Sequence, residues 1–562
     1  MAFNRFRPTS HFIAPHSWMN DPCGAVWIPE TQEYRVCYQW NPGTSKGGNS
    51  AWGMAKSKDL VAWQDCTPAL RNGTSYDSLG VFSGSIVSKI VEGERVLYLF
   101  YTSISYLPIH WSLPYVEGCE SQSVAFSTDF GETWHRYQYN PLLASPTDGT
   151  RTTGWRDPYV SQSQSLSKLL GSDVETNFMM IASGNRNLGS QLCLYQSNDL
   201  LGWESLGTVL RVKNGSKISP TSNLQFGKNF ECASFFSLGQ QDYIVVGVEE
   251  DTHSERHNGH YLLWLSGKFT LKNGSLDFEI QSHGLLDNGI LYAAHIFRDR
   301  ENRLLQLGWA DESAKECVTE SQGWAGCLVH PRELFEISEP ITDAGRASNR
   351  WLVDEESGTM STLGIRPAPQ VTTLRSGYPS NSLQDFSSIR TKTFELKATF
   401  TNLSGNERFD FNVRKSPDDT EFTKLIFDLA KGVMIVDRSK SSIHGLGEST
   451  PDFGDLDLLD GEDLVVRIFV DVSLVEIYVN NRFTLTSRIY PSLETSICAS
   501  YNFGSYPESA VDLRFWDRLR DAWPDRISPG DTLTEMGAHE GNELREQELG
   551  RSESILCRTI VA

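Results

Sequence analysis

The sequence has no apolar run approaching the roughly 18 residues of a membrane span, so no helical membrane anchor is expected. It has no cysteines in CxxC spacing. Its ten cysteines (Cys23, Cys37, Cys66, Cys119, Cys193, Cys232, Cys317, Cys327, Cys498 and Cys557) are scattered singly. That argues against a zinc site and against a dense disulfide framework. Positive charge is also short: 50 Lys and Arg face 71 Asp and Glu, a formal charge of −21. Neither a nucleic acid nor an anionic membrane is therefore an expected partner. The opening MAFNRFRPTSHFIAP lacks a sustained apolar segment and a small-residue cleavage site. The expected location is cytoplasmic, with secretion the alternative if a leader has been removed. Four N-x-S/T triplets, at Asn72, Asn214, Asn273 and Asn402, arise too readily by chance to imply secretion.

What is present is apolar and aromatic material, 39% and 11% of 562 residues. That supports a large core and excludes wholesale disorder. The length predicts three or four domains. The runs from Val96 to Tyr101, Phe178 to Ala182 and Tyr243 to Val248 are short, apolar and bounded by Gly, Asn, Asp or Pro, as strands are. No helical period is visible before the C-terminal tail. A turn motif recurs: Ser57-Lys58-Asp59-Leu60 before Trp63, Ser127-Thr128-Asp129-Phe130 before Trp134, and Ser197-Asn198-Asp199-Leu200 before Trp203. The three serines stand at equal intervals of 70 residues. Such a side chain closes a turn. Three copies in register predict a repeated β-unit, with each Trp packing between neighbouring units. Seventy residues suit a four-stranded propeller blade.

The predicted fold is all-β: a five-bladed propeller over 1–345, a linker over 346–384, a β-sandwich over 385–518 and an acidic tail over 519–562. The sandwich rests on strand-like runs at 464–470 and 474–479, with a turn expected at Asn480-Asn481. The tail's middle, 532–549, reads as helix or disorder. Its apolar end, 555–561, reads as a docking segment.

A propeller gathers the first strand of each blade around a channel. Asp21, Asp157 and Glu231 share one phase of the repeat. By the same phase Phe82-Ser83-Gly84-Ser85 belongs to the second inner strand and Asp287 to the fifth. Most acids in turns are simply solvated, but three in phase point to a site. In Trp155-Arg156-Asp157-Pro158 the neighbouring cation is expected to keep Asp157 ionised. Between Phe230 and Cys232, desolvation is expected to raise Glu231. Two carboxylates pushed in opposite directions are what two-acid glycoside cleavage needs. Nearby Trp and Phe suit a sugar face, and Asn20, Gln39, Arg156 and Ser83 suit its hydroxyls.

These residues carry a resemblance. WMNDP at 18–22, YQWNP at 38–42, WGMAKSKDLVAW at 52–63, FSGS at 82–85, WRDP at 155–158, FEC at 230–232, GWAGCLVHPREL at 323–334 and RIFVDVSLVEIYVNNRFTLTSRIYP at 467–491 resemble the invertase, inulinase and levanase family of glycoside hydrolases (family 32). The resemblance spans about 11–515 and implies a five-bladed propeller followed by a β-sandwich. It implies Asp21 as nucleophile, Glu231 as acid/base and Asp157 as the stabiliser of the transition state. Asn20, Gln39, Trp52, Phe82, Ser83, Arg156 and Tyr292 would line the sugar pocket. The expected activity is a retaining β-fructofuranosidase acting on sucrose and short fructo-oligosaccharides, with no cofactor and no metal.

Three departures from the family pattern are Cys23 in place of Asn, Gly47 in place of Trp, and Ala233-Ser234 in place of Pro-Asp. All are expected near the sugar or acceptor, which leaves a fructosyltransferase as the alternative. A non-catalytic sugar-binding protein would be favoured by loss of one of the three acids, and all three are present. A glycosidase for arabinose-type furanosides is disfavoured by WMNDP and FEC. The second domain is left open between bracing the propeller, helping to bind substrate and forming a homodimer.

Overall fold

The computed structural model describes residues 2–146, 151–218, 225–249 and 259–526. The expected tail segments at 532–549 and 555–561 lie outside these residues. The protein is mostly β, with seven sheets, five before residue 368 and two after it.

The first sheet carries Ser17–Ile28, Glu33–Asn41, Ala51–Ser57 and Trp63–Asp65, and the second Gly80–Val91, Glu94–Ile104, Glu120–Ser127 and His135–Arg136. The third carries Thr152–Gln162, Asn177–Asn185, Gly189–Ser197 and Glu204–Arg211. The fourth carries Asn229–Leu238, Gln241–Glu249, His260–Lys272 and Ser275–Leu285. The fifth begins with Leu291–Arg298 and Leu304–Ala310. Burial falls from first strand to last. In the third sheet Thr152–Gln162 is buried along most of its length and Glu204–Arg211 is largely exposed. The five first strands touch in a closed cycle, each against the next and Leu291–Arg298 back against Ser17–Ile28. A parallel pairing of Ser17 with Trp324 ties the late chain to the first sheet.

The repeated turn is one structural device. Ser57 Oγ accepts from the amides of Asp59 and Leu60, and Asp59 Oδ1 from those of Val61 and Ala62. Ser197 and Asp199 repeat the pattern, and Ser127 and Asp129 a close variant. Each turn links the third strand of its sheet to the fourth. Trp203 meets Phe100 of the preceding sheet edge-on at 5.8 Å, as expected of a residue between units. Trp63 instead packs on Phe12 and Trp523, because the chain's two ends cross over it.

Two expected boundaries change. Thr359–Pro367, inside the expected linker, pairs with Arg332–Pro340, and Leu352–Asp354 pairs in turn with Thr359–Pro367, which completes the fifth sheet. Gly364 disguises this strand; a Cβ there would stand 2.8 Å from the Phe335 ring it lies under. The expected tail begins with a docked stretch: Ala522 and Trp523 are buried, Trp63 N donates to Ala522 O, and Arg526 pairs with Asp65 at 2.7 Å.

The last two sheets form a sandwich. Leu396, Phe400, Ile468 and Ile477 of one meet Phe411, Phe427 and Val436 of the other in a single core. The joint with the first domain buries Phe469, Leu474 and Tyr490 and also a polar network. Arg332, wholly buried, donates to Asp287 at 2.8 Å and, across the joint, to Glu476 at 2.9 Å and Thr486 at 2.7 Å. Asp287 therefore belongs to the joint and not to the channel. The in-phase place on the fifth strand falls to Tyr292.

Candidate active site

Every first strand breaks its ladder at the same level. Register shifts fall between Pro22 and Gly24, Phe82 and Gly84, Glu231 and Ser234, and Tyr292 and His295; in the third sheet the shift falls between Arg156 and Tyr159. Asp157, Cys232 and Ala293 have φ of 64°, 47° and 49° at these points. A bulge of this kind re-aims side chains that a regular strand would send alternately to its two faces. Five bulges in phase thus assemble one cluster from residues up to 271 positions apart in the chain, Asp21 to Tyr292.

Asp21 is partly buried. Its Oδ1 accepts from Asn20 Nδ2 at 3.0 Å and its Oδ2 from Ser83 Oγ at 2.6 Å. Gln39 Nε2 donates to the same Ser83 oxygen at 3.1 Å, which fixes the serine proton toward Asp21. Asp157 Oδ2 accepts from the Cys232 amide at 2.9 Å, and its own amide is anchored by Thr102 Oγ1 at 2.9 Å. The Cys232 thiol lies 3.4 Å from Asp21 Oδ2 and 3.5 Å from Asp157 Oδ2, one residue after Glu231. The three acids predicted from phase therefore surround one residue.

Glu231 is held by a cation. Arg156 Nε and Nη2 both donate to its Oε1, at 3.1 and 2.8 Å, and Tyr292 OH donates to Oε2 at 2.7 Å. Arg156 also reaches Glu120 at 2.7 Å and Glu249 at 3.3 Å. The expected electrostatics are thereby reversed. Burial alone pushes Glu231 up, but Arg156, then His260 and Tyr292, bring it below the usual glutamate value. Asp157 rises to about 7, because burial and then the charges of Glu231 and Asp21 outweigh the pull of Arg156. Asp21 also rises, through burial and then the nearby charge of Glu231, against the pull of its Ser83 hydrogen bond. Adjacency in sequence does not predict pairing here, since on a bulged strand neighbouring side chains diverge.

The remaining expected pocket residues divide. Asn20 and Ser83 flank Asp21, Tyr292 caps Glu231, and the half-buried Phe82 precedes Ser83 on its strand. Trp52 is corrected: it is wholly buried, and its indole donates to Phe82 O at 3.1 Å from behind the wall. Cys23, Ala233 and Ser234, expected beside the sugar, are likewise closed off at 0%, 1% and 1% exposure. Only Gly47 borders open space, with the half-buried Trp18 indole 3.7 Å from where its Cβ would be. Sequence reasoning missed Glu120, Glu249 and Asp311. The last is a buried acid lifted to about 7 by burial, then by Glu312, with Asp21 adding to the rise. Glu120 and Glu249 sit on second and third strands, out of phase with the first-strand acids, and only the folded geometry brings them to Arg156.

Two family models cover nearly the whole chain. "Glycosyl hydrolases family 32 N-terminal domain" matches 11–341 and "Glycosyl hydrolases family 32 C terminal" matches 366–517. The chain belongs to glycosyl hydrolases family 32. It is 25% identical to the sucrose-6-phosphate hydrolase of Escherichia coli over 90% of this chain and 95% of that protein. It is equally similar, at 25%, to the insoluble beta-fructofuranosidase isoenzyme CWINV1 of Arabidopsis thaliana, over 91% and 90%. The solved beta-fructofuranosidase of Aspergillus kawachii, complexed with glycerol, superposes with a TM-score of 0.82 at 28% identity, covering 93% of this chain and 96% of that one. A fructosyltransferase from A. japonicus shares the fold, with a TM-score of 0.81 at 22% identity over 93% and 97%. This family 32 chain is therefore a glycoside hydrolase, built like fungal members of the family.

Proposed function

We propose that this family 32 enzyme is a retaining β-fructofuranosidase of sucrose and short fructo-oligosaccharides, with its first five sheets as the blades of a five-bladed propeller. The observation that carries the reading is the convergence of Asp21, Asp157 and Glu231 on Cys232 at the bulges of three inner strands. In this reading the Asp21 carboxylate attacks the fructosyl anomeric carbon. Glu231 gives its proton to the leaving oxygen as that bond breaks. The same glutamate then takes a proton from the incoming hydroxyl, which attacks the anomeric carbon and frees Asp21 as carboxylate. Ser83 and Asn20 hold Asp21 in one rotamer, so the attacking oxygen is oriented before substrate arrives. Asp157 keeps one oxygen on the Cys232 amide and turns the other to fructose hydroxyls.

Transfer to a second sugar is the competing outcome, and Gly47 favours it. It leaves the Trp18 ring uncovered, an aromatic face on which an acceptor sugar can stack. A product time course at low and high sucrose separates the two. Equal glucose and fructose at both concentrations is the outcome for hydrolysis. Glucose in excess with trisaccharide appearing is the outcome for transfer. Asp21→Ala and Glu231→Ala are each expected to lower turnover by roughly three orders of magnitude or more without unfolding the protein. Near-normal sucrose turnover by either variant would sink the assignment.

A further inference from the structure

Arg156 is surrounded by acid. Its guanidinium contacts Glu120 at 2.7 Å, Glu231 at 2.8 Å and Glu249 at 3.3 Å, the last two through the same Nη2. These carboxylates come from three strands of two sheets: Glu120 from Glu120–Ser127, Glu231 from Asn229–Leu238 and Glu249 from the end of Gln241–Glu249. Glu120 is wholly buried and Glu249 is 7% exposed. Asn229 Nδ2 also donates to Glu249, at 3.1 Å. His260 joins from the next strand, and the ligand atoms of Glu231, Glu249 and His260 all lie within 4.8 Å of one another. Tyr292 completes the ring of groups, with its hydroxyl on Glu231 and its aromatic face toward His260 at 5.1 Å.

The charges in this cluster do not balance. Among the described residues, even with His260 protonated, two cations face three carboxylates, and nearby His110, lowered by burial and then by Arg156, adds no third. Two carboxylates on one guanidinium nitrogen, away from bulk water, do not both ionise. One proton therefore belongs to the Glu231–Glu249 pair. Glu120 is a poor holder for it, because its two oxygens already accept from Arg156 and from the Trp155 amide at 2.7 Å each.

We propose that Glu249 is a positioning residue that stores the proton which Glu231 delivers to the leaving group. The inference rests on the reading of Glu231 as the acid. In the resting site Glu231 carries the charge, held by Arg156 and Tyr292, while burial and then the charge of Glu231 lift Glu249 to about 8. The step is a balanced proton transfer: the Glu249 carboxylic acid and the Glu231 carboxylate become the Glu249 carboxylate and the Glu231 carboxylic acid. No bond other than O–H is broken. The spacing within the cluster is one that a single water or the His260 imidazole bridges. Tyr292 accommodates the change by turning its hydroxyl from donor to acceptor on Glu231 Oε2. Arg156 stays on the pair throughout, so its charge moves from stabilising one carboxylate to stabilising the other. A titration above neutral pH then belongs to the pair and not to Glu231 alone.

The test is the pH dependence of kcat/KM for the full-length enzyme on sucrose and on p-nitrophenyl β-fructofuranoside, whose leaving group departs without protonation. Removing the carboxyl in Glu249→Gln leaves Glu231 alone with Arg156, which discards the proton at lower pH. The alkaline limb on sucrose is expected to move toward acid by about one pH unit or more. Turnover of sucrose at pH 7 is expected to fall by about tenfold, with KM within about threefold and the aryl fructoside rate within about threefold. Glu249→Asp, which keeps the carboxyl, is expected to recover most of the lost limb. A folded Glu249→Gln enzyme with an unmoved alkaline limb overturns the proposal. Should Glu249→Gln not fold, Glu249→Ala serves instead: it too removes the carboxyl, so an unmoved limb overturns the proposal there as well. Failure of the underlying reading is distinct. If Glu231 is not the acid, Glu231→Ala loses the same factor on both substrates, whatever Glu249 does.

Discussion

The buried joint between the two domains gives a prediction that can be worked from the coordinates. Arg332 is 0% exposed and all five of its N–H groups are used. Nε donates to Tyr478 OH at 3.0 Å, Nη1 to Asp287 at 2.8 Å and Thr484 at 3.3 Å, and Nη2 to Glu476 at 2.9 Å and Thr486 at 2.7 Å. Arg332→Met fills similar volume but strands Asp287 and Glu476 without their cation. Breaking a buried pair in this way costs about 3–5 kcal/mol, a drop of roughly 10² to 10⁴ in the folded-to-unfolded ratio. The lower end is expected, because both acids keep other donors. Asp287 retains Gly289 N and both the amide and hydroxyl of Thr486; Glu476 retains His11. The assay is urea unfolding followed by tryptophan fluorescence, read beside proteolysis of the stretch between the domains at 368–392. The triple variant Arg332→Met, Asp287→Asn, Glu476→Gln removes the stranded charges and is expected to regain at least half of the loss. A single variant within about 1 kcal/mol of wild type, or a triple variant no better than the single, refutes the reasoning.

Two further outcomes follow from the same coordinates. His11 bridges Asp471 at 2.7 Å and Glu476 at 2.9 Å; burial pulls its pKa down, but the two carboxylates outweigh burial and raise it. Its stabilisation is therefore full below the ordinary imidazole value of roughly 6.5 and is lost as pH rises through the raised value. His11→Gln is expected to flatten the alkaline fall in Tm, and an unchanged slope counts against it. Gly84 sits at the bulge beside Ser83, where a Cβ would stand 1.9 Å from the Phe100 carbonyl oxygen. Gly84→Ala is expected to lower stability by about 1–3 kcal/mol and to reduce kcat by displacing Ser83 from Asp21, both readable by melting and steady-state kinetics on one preparation.

Much of this protein is written in local sequence. The 70-residue recurrence of Ser-x-Asp before Trp is legible because a serine hydroxyl and an aspartate carboxylate close the turn with atoms a few residues away. The three acids are legible because a repeated unit gives each blade the same phase, and the strands of the sandwich because apolar runs of strand length are local too. The partners of those acids are not. Arg156 follows Trp155 and precedes Asp157 in the chain, yet its guanidinium serves Glu231, 75 residues on, and through it Glu249, 93 residues on. Glu231 falls for that reason, whereas Asp157 rises because burial and the charges of Glu231 and Asp21 outweigh Arg156. Likewise Trp52 and Cys23 carry the look of pocket residues, but burial places them behind the wall. Residues 352–367 gave no strong strand signal, since the place of 359–367 in the fifth sheet is fixed by pairing with Arg332–Pro340 and that of 352–354 by pairing with 359–361. Asp287 has the right phase and the wrong surroundings, because the sandwich supplies Glu476, Thr484 and Thr486 to the arginine it pairs with. Sequence alone determined the repeat, the strand-rich architecture and the identities of the acids, all set by contacts short in sequence or periodic along it. Tertiary structure alone decided which charges face one another, because the five bulged strands turn their side chains toward groups whose positions depend on closure of the whole ring.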